Sequence, residues 1–233
     1  MPTPTYHVRR GELLDYFDRT AVEARKRLTS DAQVNRIRAT VRAGRDEMRG
    51  TLLAWLPADL RGARVLDAGS GTGAFAVEAA RRGADVLAVD LSPRLVALAR
   101  ERAAGETACG RVEFRVGDML DYARGRFDHV VAMDSLIHYG PDDIMRVLVA
   151  LADRAGCSVL ATFAPRTPLL SAMHAIGRLF PRGDRAPSIV PVSPASLLRR
   201  LDRDERLRLW RPGRTRRVTS GFYVSQALEL VRT

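Results

Sequence analysis

The fold is decided by a glycine-rich stretch, Asp67-Ala68-Gly69-Ser70-Gly71-Thr72-Gly73. An apolar run at Arg64–Ala68 precedes it and predicts a buried strand, and a helical pattern follows at Ala74–Arg82. Glycines at this spacing let the backbone turn sharply and come close to a ligand. A strand, a glycine turn and a helix in this order predict an α/β domain with a ligand at the turn.

Strand-like and helix-like segments alternate after this turn. Further strands are predicted at Asp85–Val89, Val112–Val116, Phe127–Met133 and Ser158–Phe163, and two closing strands at Leu207–Trp210 and Phe222–Leu230. Such alternation is typical of α/β folds. We therefore predict a Rossmann-like, seven-stranded, mostly parallel sheet with helices on both faces.

An N-terminal helical arm is predicted before the sheet. The apolar residues from Leu13 to Leu28 recur near the helical period, and a second helix is predicted at Val34–Leu56. We divide the chain into an arm or lid, residues 1–57, and an α/β domain, residues 58–233. Within the latter, the proline-punctuated residues 164–196 are expected to form an insertion over the active site.

Two ligand classes fit the glycine turn. Gly69, Gly71 and, about 20 residues on, Asp90 satisfy the dinucleotide-binding pattern. Asp67, however, stands directly before the turn, where a carboxylate repels a pyrophosphate but accepts hydrogen bonds from an ammonium group. The triplet Gly117-Asp118-Met119 follows the third strand and supplies an acid and an apolar side chain for an adenine. The closing strand pair also takes the place of a second mononucleotide-binding half.

Together these features resemble the class I methyltransferases over Gly62–Phe163. The resemblance implies S-adenosyl-L-methionine as cofactor and S-adenosyl-L-homocysteine as product. It assigns cofactor contacts to Asp67, Gly69, Ser70, Gly71 and Gly73 at the methionine moiety, Asp90 at the ribose, Asp118 and Met119 at the adenine, and Leu91 and Met133 as further contacts. The glycine turn alone leaves a nicotinamide dehydrogenase and a non-catalytic binding module as alternatives.

Charge and cysteine content narrow the class of protein. The net charge is +11, and the 38 basic residues are all arginine except Lys26. They are densest from Arg199 to Arg217, but only Trp210 interleaves that stretch, so base stacking on a nucleic acid is poorly supported. Cys109 and Cys157 are too few for a disulfide framework. No apolar run approaches the roughly 18 residues of a membrane helix, and we expect a cytoplasmic enzyme.

A second resemblance concerns the segment after the fourth strand, Met133-Asp134-Ser135-Leu136-Ile137-His138-Tyr139. Ligands of open α/β sheets bind outside these strand ends, so the segment should face the reacting methyl group. With Tyr16-Phe17-Asp18-Arg19-Thr20 in the arm, Ile37–Arg45 in the second helix and Thr162–Pro165, it resembles the magnesium-protoporphyrin IX O-methyltransferases over almost the full chain. The family implies esterification of a propionate of magnesium protoporphyrin IX in bacteriochlorophyll synthesis.

That chemistry suits the residues present. A propionate, with a pKa near about 4.3, is ionised at neutral pH, so the reaction needs alignment and desolvation rather than a strong base. His138 is predicted to donate a hydrogen bond that aims the carboxylate, and Tyr16 to close over the site from the arm. A loop histidine bonded to backbone and a tyrosine packed beside Phe17 are the structural alternatives. Candidate porphyrin contacts are Tyr139, Arg38, Arg42 and Met173.

The resemblance also implies partners. Magnesium enters with the porphyrin, so no protein-bound metal is expected. The large subunit of magnesium chelatase is an implied partner, and an apolar substrate beside a basic surface suggests loose association with photosynthetic membranes. The competing hypotheses are a methyltransferase acting on oxygen or nitrogen of another small molecule, such as a quinone or an amino acid, and an RNA methyltransferase, which the poor support for base stacking disfavours.

Overall fold

The computed structural model describes residues 3–26, 32–105, 109–121, 125–166 and 189–233, and within these ranges the side chains outside residues 19–37. The helices are α1 (Pro4–Lys26), α2 (Ala32–Trp55), α3 (Ala74–Arg81), α4 (Pro93–Ala103), α5 (Pro141–Ala152) and α6 (Pro194–Arg203), with a short 3-10 helix at Glu205–Leu207. The strands are β1 (Arg64–Ala68), β2 (Asp85–Asp90), β3 (Arg111–Val116), β4 (Phe127–Ala132), β5 (Ala155–Phe163), β6 (Trp210–Ser220) and β7 (Tyr223–Arg232).

The strands form one seven-stranded sheet in the order β3-β2-β1-β4-β5-β7-β6. Neighbours from β3 to β5 are parallel, whereas β7 runs antiparallel to both β5 and β6. The predicted Rossmann-like, mostly parallel sheet with helices is therefore confirmed. Because the strand order reverses between β1 and β4, their carboxyl ends open a crevice where ligands of such sheets bind.

The sheet separates two apolar cores. Consecutive residues of a strand point to opposite faces, and in β1 Val65 packs into one core while Leu66 packs into the other. The first core holds residues of α2, α3 and α4, and the second holds residues of α5 and α6. Tyr6 and Leu13 of the arm join the second core and are almost completely buried. The arm is therefore packed on the domain along its first turns.

One sequence prediction fails in the carboxyl-terminal half, and a second cannot be compared with the structure. The strand predicted at Leu207–Trp210 is wrong, because Leu207 ends the 3-10 helix and β6 begins at Trp210. This strand lies at the edge of the sheet and buries only Val218, so its exposed arginines hide the alternation that marks a strand. The helix predicted at Leu169–Leu179 lies outside the described residues.

Ala164 and Val192, which lie near the two ends of the segment 164–196, are neighbours in the structure. The backbone N–H of Val192 donates to the carbonyl of Ala164, and that of Arg166 donates to the carbonyl of Val192. Val190 N–H donates to the carbonyl of Ile137, in the segment after β4. Both ends of the segment therefore lie beside the loop that carries His138.

None of the described helices combines the length and the apolar character that crossing a membrane requires.

Candidate functional site

The glycine turn after β1 depends on left-handed backbone geometry. Gly69, Gly71 and Gly73 have φ angles of 87°, 53° and 76°, a region in which other residues are strained. Gly73 is the N-cap of α3, and the amides of Gly69 and Ser70 donate to the carbonyl of Val89 in β2. The turn is therefore fixed to the neighbouring strand at the mouth of the crevice, and the backbone N–H groups of its glycines and Ser70 are satisfied within the protein.

Asp67 is a buried acid at the start of this turn. Its residue is 1% exposed, and burial, together with the nearby charge of Asp90, raises its pKa from 3.8 to about 7. The backbone N–H of Ala76 donates to the carboxylate and opposes this shift. Oδ2 of Asp67 has no hydrogen-bond partner. An ammonium group placed here would stabilise the ionised carboxylate and supply the missing donor.

Two more buried oxygens without a partner surround the same turn. Among the described residues, the buried side-chain oxygens that lack a hydrogen bond are Asp67 Oδ2, Ser70 Oγ and Ser135 Oγ. A Cβ atom built on Gly69 would lie 2.5 Å from Cβ of Ser135, so the turn and the loop after β4 are in direct contact. Buried polar atoms are normally satisfied, and three orphans at one turn fit a polar ligand. The residues present therefore suit the amino-acid part of S-adenosyl-L-methionine.

Asp90, at the carboxyl end of β2, is oriented by backbone amides. The N–H of Gly71 donates to its Oδ2 at 2.8 Å, and the N–H of Ser92 donates to its Oδ1 at 2.9 Å. Burial nevertheless raises its pKa, because it outweighs these two bonds. The hydroxyl of Ser92 donates to Asp18 at 2.6 Å, and the Arg94 guanidinium donates to the carbonyl of Asp18. The arm is thus tied to the predicted ribose loop.

Asp118, after β3, is held by the beginning of the arm. The hydroxyl of Tyr6 donates to Oδ1 at 2.8 Å, and Arg10 donates to Oδ2 at 3.1 Å. The N–H of Leu120 also donates to Oδ1, at 2.9 Å. Asp118 and Met119 are 3% and 8% exposed. The predicted adenine site therefore consists of the carboxylate of Asp118 and the buried thioether of Met119, and Tyr6 of the arm lies against it.

The loop after β4 meets the arm at His138. This histidine is 7% exposed, and its ring lies edge-on to Phe17, with centroids 6.4 Å apart. Tyr16 packs edge-on against Phe17 at 5.4 Å. The structure therefore brings the predicted catalytic pair, His138 and Tyr16, to one aromatic cluster at the carboxyl edge of the sheet.

Tyr139 has a protein partner on its ring. It is buried and stacks on Tyr6, with centroids 5.0 Å apart and planes at 19°. Burial raises the pKa of both phenols, and the carboxylate of Asp118 adds to the effect. The two hydroxyls are thus neutral donors at physiological pH. Stacking of Tyr139 on a ligand requires that Tyr6 leave this position.

The remaining predicted residues are less closely gathered. Leu91 and Met133 are half-buried, and Met133 packs against the core that holds α3 and α4. Arg38 and Arg42 are exposed on α2, and Met173 lies outside the described residues. Across the ranges that the structure describes, no three His, Cys, Asp or Glu side chains gather in a way that could hold a metal ion.

Tyr6, Arg10 and Asp18, which bond to Asp118 or to the loop after Asp90, were not among the residues predicted from the sequence. A signal existed for Tyr6, since it stands seven residues before Leu13 and eleven before Phe17, on the same helical stripe. The hydrogen bonds of Asp18 and Arg10 join residues 74 and 108 positions apart in sequence. Pairings at that distance leave no local pattern.

Comparison with known proteins identifies the family. The model of the magnesium-protoporphyrin IX methyltransferase C-terminus matches residues 132–232, and a general methyltransferase domain matches residues 65–155. The magnesium-protoporphyrin O-methyltransferase of Rhodobacter capsulatus is 48% identical over 94% of this chain and 95% of its own length. The protein of that name from Synechocystis is 32% identical over 94% of both chains.

A solved structure agrees with these sequence matches. The magnesium protoporphyrin IX methyltransferase from Synechocystis PCC 6803 with bound SAH has a TM-score of 0.80 and 31% identity to this chain. The match covers 96% of this chain and 100% of that one. With the glycine turn, the buried acids and the His138 loop in place, the chain belongs to the magnesium-protoporphyrin IX methyltransferases, a family of class I methyltransferases.

Proposed function

We propose that this enzyme transfers the methyl group of S-adenosyl-L-methionine to a propionate carboxylate of magnesium protoporphyrin IX, giving the monomethyl ester in bacteriochlorophyll synthesis. The observation that carries the proposal is the contact between the glycine turn and the loop that holds His138, through Gly69 and Ser135. It supports a cofactor site and an aromatic, histidine-containing acceptor site that lie side by side. Similarity to enzymes of this name along almost the whole chain supports the substrate.

The cofactor contacts follow the strand ends. Asp67 would hold the ammonium group of the methionine moiety, and Gly69, Ser70, Gly71 and Gly73 would border that moiety, since their own amides already donate to Val89, Asp90 and Ser70. Asp90 keeps lone pairs for ribose hydroxyls, because backbone amides occupy only part of its carboxylate. Leu91 and Met133 would line the walls. When bound, S-adenosyl-L-methionine supplies an electrophilic methyl group on positively charged sulfur.

Adenine recognition at Asp118 involves the arm. An ionised carboxylate offers about four lone-pair positions, and donors from Tyr6, Arg10 and Leu120 take three of them. One position remains for the amino group of an adenine, with Met119 against the ring face. We thus assign Asp118 and Met119 to the adenine subsite.

The acceptor side has to align a carboxylate. Its oxygen forms the new bond to carbon as the bond between methyl carbon and sulfur breaks, the electron pair stays on sulfur, and no proton has to move. His138 would donate a hydrogen bond that aims this carboxylate, and the hydroxyl of Tyr16 would approach from the arm. Burial of His138 beside Phe17 excludes water, which strengthens such a bond.

The porphyrin itself needs a wide opening. Residues 1–57 would act as an arm and lid on the α/β domain of residues 58–233, with residues 164–196 as an insertion over the active site. Departure of Tyr6 from Tyr139 would free an aromatic ring for the macrocycle. Arg38, Arg42 and Met173 remain proposed contacts for the second propionate and the ring edge.

Delivery of an apolar macrocycle suggests two further partners. We propose a transient contact with the large subunit of magnesium chelatase and a loose contact with anionic membranes. Phe222, at the turn between β6 and β7, is 52% exposed, beside a strand rich in arginine. Sedimentation with anionic vesicles, but not with neutral ones, and its loss in Phe222→Ser would support membrane contact.

One assay tests the reaction. Purified protein is mixed with S-adenosyl-L-methionine and magnesium protoporphyrin IX, and mass spectrometry should detect addition of one methyl group at a carboxylate. A quinone precursor and free amino acids serve as competing acceptors. If one of these is methylated and the porphyrin is unchanged, the proposed substrate is wrong, although the protein is still a methyltransferase.

A further inference from the structure

Asp134 has an uncommon backbone conformation at the start of the His138 loop. Its φ angle is 53°, and it is the only residue other than glycine with a positive φ in the part of the chain that the structure describes. Asparagine and aspartate tolerate this left-handed region better than other non-glycine residues, but they enter it at a cost. Such conformations persist where the surroundings impose them, and they cluster at functional sites.

Three separate elements impose this conformation. Thr162 of β5 accepts a hydrogen bond from the backbone N–H of Asp134 at 2.7 Å. From β7, Tyr223 donates its hydroxyl to the Asp134 carboxylate at 3.0 Å, and Arg45 of α2 reaches Oδ2 at 3.3 Å. Only 11% of the Asp134 side chain is exposed. The carboxylate therefore faces the protein.

The tyrosine that holds Asp134 is itself confined. A Cβ atom on Gly44 of α2 would lie 2.5 Å from Cδ1 of Tyr223, so the tyrosine ring lies directly on the helix backbone. A larger residue at position 44 would displace the ring and its hydroxyl. The position of α2 is in this way coupled to the backbone of Asp134.

The direction of the chain at Asp134 decides what its neighbours touch. The next residue, Ser135, lies against Gly69 in the glycine turn, and its hydroxyl is buried without a hydrogen-bond partner. His138 follows three residues later, beside Phe17. A change of φ at position 134 would move both residues relative to the turn.

We infer that Asp134 is a positioning residue for methyl transfer, which sets the distance between the His138 loop and the cofactor turn through its left-handed backbone and its bonds to Tyr223 and Arg45. It touches neither substrate, and it acts through Ser135 and His138. The inference rests on the proposed function for its kinetic consequence. Beyond the proposed catalytic pair, the inference assigns a role to a network of residues from α2, β5 and β7 that the chemistry of methyl transfer does not identify.

Three substitutions at one position separate backbone from side chain. Asp134→Asn keeps the left-handed tolerance and most hydrogen bonds, Asp134→Gly keeps only the backbone freedom, and Asp134→Ala loses both. We expect kcat to fall by less than about 3-fold in the first, about 10-fold in the second and about 100-fold in the third, since a misplacement of about 1 Å can cost that much. The Kd for S-adenosyl-L-homocysteine should stay within about twofold throughout.

Two controls accompany the series. Tyr223→Phe keeps the ring against Gly44 and removes only the hydroxyl, so kcat should fall by about 3- to 10-fold with unchanged cofactor affinity. The exposed Asp59, which pairs with Arg61 outside the site, gives the matched control Asp59→Ala, with kcat as in the wild type. Melting curves show whether each variant is folded.

A second measurement does not depend on turnover. Amide exchange in residues 133–139, measured with S-adenosyl-L-homocysteine bound, should quicken in Asp134→Ala and Asp134→Gly but not in Asp134→Asn. Wild-type kcat in Asp134→Ala, or an Asn variant as damaged as the Ala variant, would overturn the inference, the latter because it would put the carboxylate on a substrate. If the wild type leaves the porphyrin unmethylated, the proposed function fails, and the exchange pattern still decides whether Asp134 fixes the loop.

Discussion

The proposed cofactor side and the proposed acceptor side of this site are built in different ways. Asp67, Asp90 and Asp118 stand at the ends of β1, β2 and β3, three adjacent parallel strands, and each is oriented at least in part by local backbone amides. The acceptor side combines the arm, the loop after β4 and the hairpin of β6 and β7. The first side follows from strand order, whereas the second depends on contacts between distant segments.

This difference suggests how the two sides contribute to function. Strand ends with a glycine turn serve many class I methyltransferases, so the cofactor side carries little information about the acceptor. The acceptor side carries residues 16–20 and 133–139, the segments on which the resemblance to this family was drawn. Substitutions on one side should therefore leave the other measurably intact.

The largest expected effect concerns His138. His138→Ala removes one well-aimed hydrogen bond in a site shielded from water, so kcat should fall by about 10- to 10³-fold. Calorimetry with S-adenosyl-L-homocysteine should show unchanged affinity. His129→Gln is the matched control, because His129 bonds to Ser158 within the sheet. Equal losses of turnover and cofactor affinity would mean that His138 belongs to the cofactor side.

Tyr16→Phe gives a finer test of the same side. It keeps the aromatic packing against Phe17 and removes only the hydroxyl, so any fall in kcat measures that oxygen. We expect a decrease of about 10-fold, roughly one hydrogen bond. A rate equal to that of the wild type would reduce Tyr16 to a packing residue of the arm.

Asp90→Ala should affect the other side. Loss of hydrogen bonds between a charged carboxylate and the ribose weakens binding of S-adenosyl-L-homocysteine by about 1.5–3 kcal/mol. Turnover at saturating cofactor should largely persist, because the acceptor loop is untouched. A melting curve is needed, since the amides of Gly71 and Ser92 lose their acceptor. Unchanged affinity would remove Asp90 from the ribose.

The pH dependence of cofactor binding should report on Asp67. Its pKa is raised from 3.8 to about 7 in the folded protein, so the ionised form that binds an ammonium grows as pH rises. Affinity for S-adenosyl-L-homocysteine should increase about 5-fold from pH 6 to pH 7, and Asp67→Asn should flatten this slope. If Asp67 did not contact the ammonium group, the affinity of the wild type would not change with pH over this range.

Without cofactor, the raised pKa of Asp67 makes the stability of the protein fall as pH rises, which is opposite to the trend expected for cofactor affinity. A raised carboxyl pKa means that the folded protein holds more protons than the unfolded chain between pH 4 and pH 7. The contribution of Asp67 to the free energy of unfolding is thus largest at acidic pH and falls as pH rises towards 7. Denaturant titrations of the wild type and of Asp67→Asn at pH 5 and pH 7 would measure the difference.

The smallest expected effect lies where the two sides meet. Tyr6→Phe keeps the stack on Tyr139 and removes the hydrogen bond to Asp118. Arg10 and the amide of Leu120 continue to satisfy that carboxylate, so the free energy of unfolding should fall by only about 1 kcal/mol. A loss of several kcal/mol would show that the hydroxyl anchors the arm by itself.

Local sequence patterns located the strand ends and the glycine turn well. A buried strand, a glycine turn and an acid near the next strand end are separated by short stretches, so periodicity and turn chemistry suffice to locate them. The N-cap of α4 is an example, because Ser92 before Pro93 gives both a capping hydroxyl and a proline at the first helical position. The strands of the parallel part of the sheet followed in the same way.

The acceptor side was less accessible for physical reasons. The left-handed conformation of Asp134 is held by residues distant in sequence, Thr162, Tyr223 and Ser225 among them, and no local pattern records it. Strand β6 was misplaced because one face of an edge strand meets solvent and the other meets only a little of the core. His138 and Tyr16 were proposed through family resemblance, since residue types alone left their structural alternatives open.

The position of β6 at the edge of the sheet suggests a second role for the arginine residues of this strand. An outermost strand displays unpaired backbone groups that another copy of the chain can join, and proteins protect such edges with charge, proline and irregular pairing. Here Arg211, Arg216 and Arg217 are exposed along the strand, Pro212 removes a donor, and the pairing with β7 shifts register between Pro212 and Thr215. We expect the positive charge along this strand to keep separate molecules from extending one another's sheets, so a variant neutralised along this edge should lose its resistance to aggregation before it loses its fold.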